Sequence, residues 1–86
     1  MQTKIVVYSS AWCGFCRAAK QLLQSKNLAF EEILLDKQPE LRQQVMQRSG
    51  QRTVPQIWIG ETHVGGYTDL LALETSGGLA DLLTAG

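Results

Sequence analysis

Scarcity is the first feature of this sequence. Among its 86 residues there are two cysteines, two prolines and a single histidine. A structural zinc site takes four ligands, and beyond the cysteine pair only His63 is a good candidate, so zinc is the weaker reading of that pair. Charge of either sign in excess is also missing. Eight basic and eight acidic residues cancel, which removes any electrostatic reason to expect nucleic acid or an anionic membrane as a partner. No apolar run approaches the roughly 20 residues of a membrane-spanning helix. The opening Met-Gln-Thr-Lys lacks the apolar stretch of a secretory signal. Repeats, low-complexity tracts and linkers are absent too. The expectation is one soluble domain over residues 1–86, in the reducing cytoplasm, where a disulfide is more often catalytic than structural.

What is present is an ordinary globular composition, 44% hydrophobic and 19% charged. Ile5-Val6-Val7-Tyr8 is a short β-branched and aromatic run that reads as a buried strand within Lys4 to Tyr8. Arg17 to Lys26 reads as a helix, with Cys16, Ala19, Leu22 and Leu23 spaced along one face. Between them lies Trp12-Cys13-Gly14-Phe15-Cys16. A Cys-x-x-Cys pair at a strand-to-helix junction meets unpaired backbone N–H groups and the positive end of the helix dipole. Cys13 is expected at the cap, where its thiolate is favoured, and Cys16 one turn later on the same face, within disulfide reach. This suits reversible thiol–disulfide exchange. Two inert buried thiols are the plain alternative, since free cysteine is often simply buried.

The remaining elements follow in order. Asn27 ends the first helix, and Phe30 to Leu35 is a second strand joined by a right-handed parallel crossover. Pro39 opens a second helix running to about Ser49, with Leu41, Val45 and either Arg48 or Ser49 on one stripe, and Gly50 closes it. Gln56 to Ile59 alternates, with Ile57 and Ile59 on one face; Gly60-Glu61 turns the chain, and Thr62 to Val64 returns. Gly65-Gly66 breaks the ladder, and Thr68 caps a third helix whose Leu70, Leu71 and Leu73 are core. Gly77-Gly78 ends that helix, and Leu79 to Leu83 is a short last one. The order is βαβαββαα.

Outside the cysteines, three stretches carry possible chemistry. Thr53-Val54-Pro55 stands directly before a strand. A cis Val54-Pro55 bond would turn the backbone of Val54 outward to pair with an extended peptide, although an ordinary trans proline is the commoner state. Gly65-Gly66-Tyr67-Thr68-Asp69 leads into a helix start that can bind a carboxylate, with Asp69 able to receive an ammonium group; equally, Thr68 and Asp69 can serve only as caps. Arg17, Lys20, Arg42, Arg48 and Arg52 form a basic set that in the main is a solvated surface.

Taken together, Cys13-Gly14-Phe15-Cys16, Arg52-Thr53-Val54-Pro55-Gln56-Ile57 and Gly65-Gly66-Tyr67-Thr68-Asp69-Leu70 resemble the glutaredoxins, across essentially the whole chain. Ile59-Gly60-Glu61-Thr62-His63-Val64 and Gly77-Gly78-Leu79 are similar to the bacterial dithiol members in particular. The resemblance implies an α/β thioredoxin fold, a four-stranded mixed sheet flanked by helices, with cis Val54-Pro55. It implies a monomeric glutathione-dependent oxidoreductase acting on protein disulfides and glutathione mixed disulfides, with Cys13 as nucleophile and Cys16 as resolving thiol. The glutathione contacts would map to Phe15, Arg42, Thr53, Val54, Pro55, Gly66, Tyr67, Thr68 and Asp69. Val54 would pair with the cysteine of glutathione, Thr68 and Asp69 with its γ-glutamyl end, and Arg42 with its glycine carboxylate.

Two departures from the family pattern stand out. Ser9-Ser10-Ala11 occupies the place where most members carry a lysine before the nucleophile, so a cation that favours the thiolate is missing. Gly14 replaces the commoner proline, which makes Trp12-Cys13-Gly14 similar to the start of a thioredoxin active site. Two alternatives follow: a thioredoxin-like protein disulfide reductase, and a dimer holding a [2Fe–2S] cluster through Cys13.

Overall fold

The computed structural model describes residues 3–84; the Met1-Gln2 opening and the last two residues of the expected 1–86 domain lie outside the described residues. The elements are β1 (Ile5–Ser9), α1 (Gly14–Ser25), β2 (Glu31–Leu34), α2 (Pro39–Ser49), β3 (Gln56–Ile59), β4 (Thr62–Gly65), α3 (Tyr67–Ser76) and α4 (Gly78–Thr84). Their order is the expected βαβαββαα. The four strands form one mixed sheet in the order β2-β1-β3-β4. β1 runs parallel to β2, with Val6 opposite Glu31, and antiparallel to β3, with Val7 opposite Ile57. β3 and β4 form the hairpin read from Gly60-Glu61.

Hydrophobic burial sorts the helices onto the two faces. Along β1, Ile5, Val7 and Ser9 are buried while Val6 and Tyr8 are half-buried, the alternation that a strand's two-residue period produces. Ile5, Val7, Ile57 and Ile59 share one core with Ala19 and Leu23 of α1, Leu70 of α3 and Leu79 of α4. Trp58 shares a smaller second core with Leu35 and Val45 of α2, to which Tyr8, Leu41 and Val54 are packed. β3 is therefore covered on both faces. Its four residues are all buried, and Gln56 is the polar member. Ile57 and Ile59 share one face as expected, and Gln56 and Trp58 are buried as well because β3 is an interior strand with helices on either side.

Several boundaries differ from the sequence expectation, each for a local reason. α1 begins at Gly14 rather than Arg17, since the Arg17 N–H already donates to the Cys13 carbonyl at 3.1 Å. Thr68 does not cap α3. Gly66 is the N-cap residue and its N–H donates to Asp69 Oδ2 at 3.0 Å, so Thr68 lies in the first turn. Gly65 does not break the ladder but pairs with Ile57 across a β-bulge. Leu71 is 41% exposed, whereas Leu70 is buried and Leu73 packs on the core. Of the two candidates for the α2 stripe, Ser49 is half-buried, while the exposed Arg48 lays its guanidinium over the Trp58 ring, 4.7 Å from its centroid. β2 is shorter than Phe30 to Leu35, because it is an edge strand paired only with β1.

Candidate active site

Cys13 is the N-cap of α1, with extended backbone (φ −124°, ψ 112°), and its Sγ accepts the Cys16 N–H at 3.1 Å. One helical turn brings the two cysteines to a Cα separation of 5.2 Å, and they are joined as a disulfide. Their environments differ sharply. Cys16 is wholly buried beneath the helix, while Cys13 is half-exposed and flanked by Trp12 and Phe15, which are 94% and 62% exposed. An incoming disulfide can therefore reach Cys13 and not Cys16.

The loop ahead of Cys13 is pinned from below. The Ala11 N–H donates to Asp36 Oδ2 at 2.9 Å, tying the loop to the turn after β2. Ser9, buried at the end of β1, donates its hydroxyl to Glu32 Oε2 at 2.6 Å, and Lys20 of α1 pairs with the same oxygen at 2.8 Å. These two donors, Lys20 first, hold the Glu32 carboxyl below its usual range. Lys20 is thereby committed to Glu32.

Across from the cysteines runs the segment before β3. The Val54-Pro55 peptide bond is cis, and the Val54 carbonyl oxygen lies 3.6 Å from Cys13 Sγ. In the disulfide no proton is available, so this is a contact only. Val54 and Pro55 form one wall of an open cleft of about 290 Å³, with Phe15, Gln51, Thr53, Gly66, Tyr67, Thr68 and Asp69. The rings of Phe15 and Tyr67 stack across it, 6.1 Å apart at an interplanar angle of 24°. At the far end stands the start of α3, whose first-turn N–H groups have no partner within the helix itself. Gly65 makes this end possible. Its φ is +117°, and a Cβ there would run into the Asp69 carboxylate.

Eight of the nine peptide-binding candidates named from the sequence thus line one cleft. Arg42 does not. It stands on α2 and lines a separate groove with Leu35, Asp36 and Pro39. A larger depression of about 480 Å³ opens at the start of α2, yet it contains neither cysteine nor any of these candidates, and reactive groups decide the site rather than volume. Gln51, which lines the cleft, escaped the sequence reading because nothing distinguishes it from the other glutamines. Among the described residues no group of three or more His, Cys, Asp or Glu side chains could hold a metal ion, and His63 is instead bonded to Gln56.

A redox cysteine pair at a helix cap, facing a cis-proline wall, matches known proteins in sequence as well. Residues 5–64 match the glutaredoxin family model. The chain belongs to the glutaredoxin family.

Relatives at high identity agree with that membership. A glutaredoxin of Pseudomonas aeruginosa is 57% identical over 81 residues, covering 94% of this chain and 96% of that protein. Glutaredoxin 3 of Escherichia coli K12 is 43% identical over 79 residues, covering 92% and 95%. Among solved structures, the glutaredoxin of Brucella melitensis superposes with a TM-score of 0.86 at 45% identity, over 95% of this chain and 89% of that one. A buckwheat glutaredoxin–glutathione complex superposes with a TM-score of 0.89 at 31% identity, over 96% and 78%. As a family member the chain has the thioredoxin fold and is a thiol–disulfide oxidoreductase, with Cys13 and Cys16 in the place of the active-site pair.

Proposed function

We propose that this chain uses glutathione to reduce glutathione mixed disulfides and protein disulfides, as a monomer in the reducing cytoplasm. The observation that carries the reading is the juxtaposition of Cys13 with the cleft wall: its Sγ lies 3.6 Å from the Val54 carbonyl oxygen, beside a cleft sized for a short peptide. In support, a solved glutaredoxin of the same fold is a glutathione complex.

Two backbone groups act on the reduced Cys13 in opposite senses. The Cys16 N–H at 3.1 Å favours the thiolate, aided by the helix dipole, whereas the Val54 carbonyl at 3.6 Å favours the thiol. The Cys13 thiolate attacks the sulfur of a mixed disulfide, forming a new S–S bond to glutathione while the substrate thiolate leaves. A glutathione thiolate then attacks that bond, regenerating the Cys13 thiolate and releasing oxidised glutathione. With a protein substrate, Cys16 loses its proton, attacks the mixed disulfide at Cys13, and expels the second substrate thiolate, leaving the Cys13–Cys16 bridge. Two glutathiones reduce that bridge.

In the cleft, the Val54 backbone pairs with the cysteine of glutathione, with Thr53 and Pro55 fixing that wall. Gly66, Thr68 and Asp69 take its γ-glutamyl end, where helix N–H groups suit the carboxylate and Asp69 suits the ammonium. Phe15 and Tyr67 close the side. Arg42 is assigned to the glycine carboxylate from its place in the family pattern.

The assay that tests this compares reduction of a glutathione mixed disulfide by a glutathione and glutathione-reductase system with reduction by thioredoxin reductase. Turnover only with thioredoxin reductase would make the chain a thioredoxin-like protein disulfide reductase instead. A [2Fe–2S] cluster is the second reading, and it rests on Gly14, around which an added Cβ meets nothing within 4 Å. One chain supplies too few ligands, so such a cluster needs Cys13 from two copies and thiolates from outside. Anaerobic reconstitution with iron, sulfide and glutathione separates the outcomes, a coloured dimer supporting the cluster and a colourless monomer excluding it.

A further inference from the structure

The Gln56 side chain is fully buried, yet both ends of its carboxamide are engaged. Its Nε2 donates to the Thr53 carbonyl at 3.0 Å and to Gln51 Oε1 at 2.9 Å, with Thr53 Oγ1 at 3.4 Å. Its Oε1 lies 2.7 Å from His63 Nε2. The Thr53 carbonyl can only accept, so the NH₂ end must face it and the oxygen must face His63. His63 therefore donates from Nε2. The His63 ring is in turn held against the Trp58 indole, with centroids 4.5 Å apart and planes tilted by 35°.

The far end of this chain of contacts is the cleft. Gln51 and Thr53 both line it, and Thr53 directly precedes Val54. Residues 51–54 belong to no helix or strand. Side chains hold them: the Ser49 hydroxyl bonds the Gln51 backbone on both its N–H and its carbonyl, and Gln56 bonds Gln51 and Thr53 from beneath.

We propose that Gln56, oriented by His63, is a positioning residue for the substrate cleft. It sets where the 51–54 wall stands and so where the Val54 peptide meets a peptide-like disulfide. This rests on the reading of the cleft as the glutathione site. Gln56 has no bond to either cysteine, so its influence falls on substrate fit rather than on thiol chemistry.

The test uses two variants. Gln56→Leu removes the carboxamide, and His63→Phe keeps a ring against Trp58 while removing the donor that orients it. Pre-reduced protein is mixed in single turnover with glutathione disulfide or with hydroxyethyl disulfide, which has no peptide to align. Loss of one buried hydrogen bond predicts a rate with glutathione disulfide slower by about fivefold or more, and a much smaller change with hydroxyethyl disulfide. Unchanged rates in both folded variants overturn the proposal, and so does an equal fall with both disulfides. Should the wild type itself not prefer glutathione disulfide, the glutathione reading fails separately. The backbone amide resonances of Thr53 and Val54 then decide: displaced in His63→Phe they support the positioning role, and unmoved they refute it.

Discussion

Cys13 Sγ accepts the backbone N–H of Cys16, while the Cys16 side chain to which it is bridged is wholly buried. One helical turn thus places a backbone donor at the half-exposed sulfur and the second cysteine beneath it, so that burial alone separates the nucleophilic and resolving roles proposed for the pair. Cys16→Ser is expected to retain reduction of glutathione mixed disulfides, because free glutathione can resolve Cys13. Cys13→Ser abolishes it, a hydroxyl being a far poorer nucleophile at neutral pH. Turnover of a glutathionylated peptide measures both, and near wild-type turnover by Cys13→Ser would remove Cys13 from the mechanism.

Asp69 has two duties that substitutions can separate. As a carboxylate it caps α3 through the Gly66 N–H and offers charge to the cleft. Asp69→Asn keeps an acceptor for the cap but loses the charge, so KM for glutathione mixed disulfides should rise several-fold with little change in Tm. Asp69→Ala should also lose stability, by about 1 kcal/mol for a missing cap. Thermal unfolding together with steady-state kinetics distinguishes them.

Gly65→Ala should be worse for folding than either. It combines a left-handed φ of +117° with a Cβ placed in the Asp69 carboxylate. A loss of at least ~1 kcal/mol is expected from the backbone alone. Denaturant unfolding at equilibrium reads it directly. A variant as stable as wild type would mean the turn can rebuild without glycine.

Glu32 predicts a pH dependence. Lys20 and Ser9 lower its pKa in the folded protein below the ordinary glutamate value of about 4.5. The folded state therefore binds fewer protons than the unfolded one near that value. The contribution is present above pH 4.5 and disappears as pH falls through the lower folded pKa. Because the carboxylate is partly exposed, its worth at neutral pH is of order 1 kcal/mol or less. Glu32→Gln should be less stable than wild type at pH 7 and converge with it in acid; parallel pH–stability curves would show that the pairing contributes nothing.

Leu23 tests the larger core. It is completely buried among Ile5, Val7, Ile57 and Leu70. Leu23→Ala should lose about 2–5 kcal/mol, a large fraction of a small domain's stability. Calorimetry would show a corresponding fall in Tm.

Local chemistry made much of this protein legible in the chain itself. Cys13 could be placed at a helix cap because a thiol three residues before a second one, between a β-branched run and an apolar-striped helix, has few other stable positions. Pro39, Gly50 and Gly60-Glu61 marked their boundaries because each acts on its own backbone, through a fixed φ, a left-handed φ or a two-residue turn. The motif order carried the family and, with it, the cis bond at Pro55. Tertiary structure decided what depends on neighbours distant in sequence. Gln56 resembles any strand-edge polar residue until α2 covers that face and His63 arrives from β4 to receive it. Leu71 matches Leu70 in type, and only the docking angle of α3 turns one inward and the other to solvent. Thr68 lost the cap to Gly66 because β4 ends at Gly65 and α3 already starts at Tyr67, leaving one residue between them. Arg42 is expected from the family resemblance beside the other cleft candidates, yet it lines a separate groove at the start of α2, which no spacing along the chain encodes. Short-range sterics and hydrogen bonding are written residue by residue; which faces meet is settled only when the whole core closes.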